Sequence, residues 1–122
     1  MTTQERTRST PGHSEVTDPA LCPTRRLLDH LGTRWTALVV KILAAWPQPE
    51  MRYSDLRRST VGISAKMLAQ TLREMEQAGL VHRRVEPTTP PRVHYSLTSK
   101  GRSLEELLVT VRSWAQENMA TA

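Results

Sequence analysis

One cysteine, Cys22, is present in the 122 residues, so no intramolecular disulfide can form and a disulfide-stapled secreted domain is excluded. No run of about 18 apolar residues exists, which excludes a membrane-spanning helix. The N-terminus lacks the apolar core of a secretory signal, and the expected location is cytoplasmic. Acidic residues are outnumbered, 12 Asp and Glu against 17 Lys and Arg, for a formal net charge of +5. His13, His30, His82 and His94 show no metal-ligand spacing, and no metal or cofactor is expected. A nucleophilic cysteine needs a base. His30 stands eight residues after Cys22, roughly 12 Å along one helix, too far for contact within it. No enzyme is expected, and no internal repeat is present.

The charge that is present is unevenly placed. Ten basic and four acidic residues fall between Arg52 and Arg102, whereas residues 103–122 carry one Arg against Glu105, Glu106 and Glu117. A localised basic block is a stronger sign of nucleic acid than a basic average. At 122 residues the chain has room for one modest core. Residues 1–20, rich in Thr, Ser, Pro and mixed charge, are expected to form a disordered arm, and residues 21–122 a single domain.

The ordered part is expected to start at Cys22-Pro23. Proline suits the first position of a helix that places Leu27, Leu28 and Leu31 before Gly32. Thr33 caps a second helix from about Arg34 to Ala45, whose wide apolar face (Trp35, Leu38, Val39, Ile42, Leu43 and Trp46) makes it the core helix. Pro47-Gln48-Pro49 stops it. Met51-Arg52 suits a very short strand. A short helix follows, capped by Ser54, with Tyr53 and Leu56 inward and Arg57 and Arg58 outward. Thr60-Val61-Gly62-Ile63 makes a tight link, with Val61 and Ile63 filling the elbow. Then comes a longer helix from a Ser64 cap to Gly79. Short helix, glycine-containing turn and longer helix is the helix-turn-helix arrangement.

The longer helix has two unlike faces. Met67, Leu68, Thr71, Leu72 and Met75 form a stripe to be held. Ala65, Lys66, Ala69, Gln70 and Arg73 form a small, hydrogen-bonding stripe to be presented. Beyond Gly79 the period changes to two. Val81, Arg83 and Val85 alternate with His82, Arg84 and Glu86, and after a Pro-rich loop Val93, Tyr95 and Leu97 alternate in Arg92–Leu97. These runs form a β-hairpin. Thr98 caps a last helix carrying Leu104, Leu107, Leu108, Val111 and Trp114 at 3–4 spacing.

The expected fold is mainly α with a small β-hairpin, an α+β winged helix-turn-helix. In that arrangement the second helix of the motif enters the major groove and the hairpin lies along the backbone or minor groove. Candidate DNA contacts are Ser64, Ala65, Lys66, Gln70, Thr71 and Arg73 on the helix, with Arg52, Arg83, Arg84 and Arg92 on or near the wing. Ser64 and the free amides at the helix start can donate to phosphate. Lys66 and Arg73 can meet phosphate or guanine, and Gln70 can pair with adenine. The alternative from another class is a winged-helix module that binds protein, with its charges merely solvated. Salt-dependent binding to one DNA site separates the two.

Several stretches carry a family resemblance. They are Cys22-Pro23, Leu31-Gly32-Thr33-Arg34-Trp35-Thr36, Arg52-Tyr53-Ser54-Asp55-Leu56, Gly62-Ile63-Ser64-Ala65-Lys66-Met67-Leu68, the run from Leu72 to Val81, the run from Pro90 to Thr98, and Gly101-Arg102-Ser103-Leu104. In this order they resemble the HxlR-type regulators, a bacterial branch close to the MarR-like winged helices. The resemblance implies a dimeric transcriptional regulator binding double-stranded DNA, a repressor by family habit, with groove contacts from Ser64, Lys66, Gln70 and Arg73 and wing contacts around Arg92. It also implies a homodimer through the terminal helices. The sequence adds its own reason, since Leu104, Leu107, Leu108, Val111 and Trp114, with Leu27, Leu28 and Leu31, are more apolar surface than one small domain easily hides. A two-fold dimer would read inverted half-sites roughly 34 Å apart.

Cys22 is the candidate for reactive chemistry. It precedes a helix start, with Arg25 and Arg26 in the next turn, surroundings in which a thiol is reactive. Members of the family it resembles use a cysteine at this position to sense oxidants or electrophiles, by modification of the thiol or a disulfide between subunits. The other reading of Cys22 is a small buried hydrophobe. Trp35 and Trp46 are either core residues or the lining of a small-molecule cleft.

Overall fold

The computed structural model describes residues 22–31 and 34–119, with the side chains of 30, 31 and 34 set aside. The arm expected over 1–20, the Thr33 cap and the Leu31 contact lie outside the described residues. The chain divides between Thr33 and Arg34 into two compact units. In the first, α1 (Pro23–Leu31) begins where proline was expected to start it, and the Cys22 carbonyl accepts the Arg26 N–H at 3.0 Å. Arg25 and Asp29 pair one turn apart at 3.3 Å. Both are exposed, so the pair contributes little stability.

In the second unit, α2 (Arg34–Ala45) is the core helix, with Val39, Val40 and Leu43 buried and α5 (Ser99–Met119), α4 (Ala65–Gln77) and α3 (Tyr53–Ser59) packed against it. The prolines end α2, and the Trp46 indole N–H donates to the Glu50 carbonyl at 3.0 Å, bracing the turn. A three-stranded antiparallel sheet completes the unit, with β3 (Arg92–Leu97) between β1 (Met51–Arg52) and β2 (Val81–Glu86). Val81 faces Leu97 and Glu86 faces Arg92 in register, and Met51 faces Tyr95. Met51, Val81, Tyr95 and Leu97 turn one face of the sheet into the core, beside Leu56, Leu68, Leu72 and Met75 from the helices. Each such fully buried aliphatic side chain stabilises the fold by roughly 1.5–3 kcal/mol. Among the described residues this makes five helices and a small sheet, a winged helix-turn-helix.

Four expectations need correcting. Ser54 does not cap α3. The N-cap is Arg52, in an extended conformation with no side-chain cap bond, because Met51 and Arg52 are paired with β3 and the chain leaves the sheet straight into the helix. Val61 does not fill the elbow and is 85% exposed. Thr60 is buried there, its hydroxyl donating to the Leu56 carbonyl at 3.0 Å, and the turn through Gly62 (φ +95°) carries Val61 outward. Met67 is 42% exposed, at the edge of the stripe it was expected to join. Leu104 and Leu108 belong to this unit's own core, so they are unavailable to a second subunit. Their neighbours Leu107, Val111 and Trp114 are exposed along α5.

Candidate nucleic-acid interface

The motif helix α4 is fixed at both ends. Ser64 is its N-cap, the hydroxyl oxygen accepting the Met67 N–H at 3.0 Å. At the other end Gly79 adopts φ +77°, and the Leu80 N–H reaches back to the Met75 carbonyl at 2.9 Å. That six-to-one closure needs a left-handed residue, which glycine adopts without steric cost. The Arg57 guanidinium donates to the Ile63 carbonyl at 3.1 Å, tying α3 to the link before Ser64. Nothing in the sequence pattern marked Arg57 for this, since it was expected only to face outward.

Leu68, Thr71, Leu72 and Met75 hold α4 against the core. Ser64, Ala65, Lys66, Ala69, Gln70 and Arg73 are exposed. Thr71 is corrected out of the contact set. It is 4% exposed and lies on the helix face that packs inward, where no base edge can reach it. The Ser64 oxygen accepts the cap bond, which leaves its proton to donate outward. The Ala65 and Lys66 amides precede the first intrahelical bond, from Leu68 N–H to the Ser64 carbonyl at 2.9 Å. No acidic residue stands in the first turn, so the positive end of the helix dipole is uncompensated. Among the described residues neither Lys66 nor Arg73 is engaged by a carboxylate. Gln70 donates through Nε2 to Glu74 at 3.3 Å, which turns its amide oxygen away from that carboxylate.

The wing's four arginines are not equivalent. Arg52 and Arg92 are exposed. Arg84 makes a two-pronged ion pair with Glu50, Nε to Oε2 at 2.8 Å and Nη2 to Oε1 at 2.7 Å. The hydrogen bond from Arg84 holds the Glu50 carboxyl below the ordinary carboxylate range, so Arg84 offers a phosphate little unpaired charge. Glu50 is 34 residues away in sequence, and no local pattern points to it. Arg83, exposed, faces Tyr95 across the hairpin; burial raises the pKa of that phenol, and the Arg83 guanidinium partly offsets the rise. On the outer face His94 Nε2 lies 3.0 Å from Glu86 Oε1, and this bond keeps the Glu86 carboxyl low.

Cys22 is free and half-buried, immediately before α1. Of the residues expected at a dimer interface, Leu28, Leu107, Val111 and Trp114 are exposed, Leu27 is half-buried, and Leu104 and Leu108 are inside. No helix among the described residues is long and apolar enough to cross a membrane. The described residues hold no group of three or more His, Cys, Asp or Glu that could bind a metal.

A capped, outward-facing second helix held by a bonded elbow and followed by a basic hairpin defines a winged helix-turn-helix transcriptional regulator. The model of the HxlR-like helix-turn-helix family matches residues 30–122, and the chain belongs to that family. It is 42% identical over 98 residues to the helix-turn-helix transcriptional regulator YtfH of Escherichia coli, covering 80% of this chain and 75% of that protein. The reduced form of the regulator YodB from Bacillus subtilis superposes with a TM-score of 0.69 at 34% identity, covering 80% of this chain and 94% of that one. YodB is also solved after diamide treatment. The redox regulator HypR in its oxidised form matches with a TM-score of 0.69 at 34% identity, covering 82% of this chain and all of that one.

Proposed function

We propose that the chain is a homodimeric, sequence-specific DNA-binding repressor that reads an inverted-repeat operator through Ser64, Ala65, Lys66, Gln70 and Arg73. Arg52, Arg83 and Arg92 meet the flanking backbone. The observation that carries this reading is the outward face of α4, where a capped helix start, Lys66 and Arg73 with no carboxylate partner among the described residues, and two small alanines lie together and exposed. Amides and cations position the helix on phosphate, while Gln70 and the cations reach base edges. Leu107, Val111 and Trp114 supply an apolar stripe for the second subunit, which sets two copies of α4 about one helical turn of DNA apart. A gel shift with the DNA upstream of the chain's own gene, at two salt concentrations, tests it. One retarded species with steep salt dependence is expected, and salt-insensitive or absent binding refutes it.

Cys22 is proposed as the sensor of oxidants or electrophiles. Its half-buried thiol at a helix start, with Arg25 and Arg26 in the following turn, supports this, as do the redox regulator HypR and the diamide-treated form of YodB. With diamide, two thiols lose two electrons and two protons to give a disulfide, and the diazene takes them up as a hydrazine. With a quinone, the thiolate adds to a ring carbon. Operator affinity is measured with each reagent for the wild type and Cys22→Ser. Loss in the wild type alone is expected, and equal loss in both sinks the sensor role.

A further inference from the structure

The end of α4 and the beginning of α5 are bonded to each other directly. Three consecutive carbonyls follow the last turn of α4, and each accepts a hydrogen bond from the start of α5. Lys100 Nζ donates to the Ala78 carbonyl at 2.8 Å. The Thr98 hydroxyl donates to the Gly79 carbonyl at 2.5 Å, and the Thr98 N–H to the Leu80 carbonyl at 3.1 Å. The same hydroxyl accepts the Gly101 N–H at 3.0 Å, capping α5. Gly101 is what lets the two elements approach so closely, because a Cβ there would lie 2.2 Å from the Leu80 oxygen. These contacts span 18–22 residues and close the base of the wing.

We propose that Lys100 and Thr98 are positioning residues for DNA reading, fixing the angle between α4 and α5 and so the separation of the two reading helices in the dimer. This rests on the reading of the chain as an operator-binding dimer. Lys100 places a cation at the negative end of the α4 dipole, and its partner carbonyl lies one residue beyond the helix. Farther along the same α5, Leu107, Val111 and Trp114 form the exposed apolar stripe. One helix therefore holds the reading helix at its first turn and carries the proposed subunit contact from its third turn onward. With Lys100 cut, α4 can swing relative to that contact. The dimer must then re-order two copies of the joint to span both half-sites.

The test uses the full chain. A duplex library with random sequence is enriched by wild-type protein, and the selected inverted repeat is resynthesised with its half-site spacing unchanged or altered by one base pair either way. Affinity is read by fluorescence anisotropy, subunit association by sedimentation, and folding by thermal melting. One charged contact at a helix C-terminus corresponds to roughly two- to fivefold in an equilibrium constant. Lys100→Met should therefore weaken binding at the optimal spacing by about four- to 25-fold across two subunits and flatten the penalty for altered spacing. Dimer association should stay as in the wild type, and Lys100→Arg should restore both affinity and spacing preference. Lys100→Gln, which keeps a polar tip but no charge, should behave as Lys100→Met if the cation is what matters. An affinity loss equal at all spacings, or an unchanged spacing profile, overturns the proposal. A wild type that enriches no site refutes the operator reading itself, a result obtained before any Lys100 variant is made.

Discussion

Ser64 is the residue at which holding the helix and reading DNA can be separated. Its hydroxyl accepts the Met67 N–H at 3.0 Å, and replacing such a cap with alanine costs about 1 kcal/mol. For a unit of this size that is roughly 4–8 °C in Tm. Asp caps as well as Ser, and with no acid in the first turn of α4 a carboxylate there gains a further ~0.3–1 kcal/mol from the dipole. Ser64→Asp should therefore melt at or above the wild type, and Ser64→Ala below it. Binding should follow a different order. Ser64→Ala loses one donor to a phosphate, a charged hydrogen bond worth about 1.5–3 kcal/mol. Ser64→Asp loses the donor and adds a like charge near the phosphate, costing a further ~1–4 kcal/mol at about 4 Å. The assay pairs thermal melts with anisotropy titrations on the selected operator. The expected ranking is Ser64→Asp most stable and weakest in binding. If Ser64→Asp binds within twofold of the wild type, or if affinity tracks Tm across the two variants, the helix start does not face phosphate and the reasoning is wrong.

Other substitutions test other links. Gly101→Ala must displace the Leu80 carbonyl from its 2.2 Å approach, an overpacking that should destabilise by about 1–3 kcal/mol in chemical denaturation; an unchanged midpoint would mean the α4–α5 joint is loose. Leu108→Ala, within the core, should lose about 2–5 kcal/mol of stability, whereas Trp114→Ser, at a side chain 59% exposed, should leave the fold intact and shift sedimentation toward monomer. Arg92→Ala should lower the salt slope of operator binding by about two, roughly one for each subunit of the dimer, while Arg84→Ala, whose charge faces Glu50, should lower it much less. In acid, Glu50 and Glu86 are held below their ordinary 4.5 by Arg84 and His94. Their contribution is thus complete above pH 4.5 and lost as pH falls through the lower folded values. Carboxyl NMR should give midpoints below 4.5 for both, with Glu86 rising in His94→Gln; a Glu86 midpoint unmoved by that change removes His94 as the cause.

Sequence alone determined the elements and most of their ends, the start of α3 excepted, because those are set by interactions within a few residues. The Ser64 and Thr98 caps, the left-handed Gly79, the prolines after α2 and the switch from helical to alternating period at Leu80 all act locally, and the wing strands fall where the alternation put them. The outward set on α4 followed from the same periodicity, except at the stripe edges. There a 100° step leaves Met67 at the boundary, and only packing against the core turned it out; Thr71 is buried as its place on the held stripe implied, against its inclusion among the DNA contacts.

Tertiary structure decided what contacts distant in sequence decide. Thr60 rather than Val61 takes the buried place at the elbow, since the turn's direction depends on how α3 leaves β1, which is itself held by β3. Leu104 and Leu108 were indistinguishable from Leu107 and Val111 by spacing, and became core residues because α2 and the sheet cover one side of α5. Arg84 looked like any basic wing residue until Glu50, 34 positions earlier, was brought beside it. Lys100 gave no signal of its own, because its partner is a backbone carbonyl 22 residues back. Hydrophobic period records that a side chain is to be buried, and only the fold says against what. Charge records that a side chain wants a partner, and only the fold says whether one is already there.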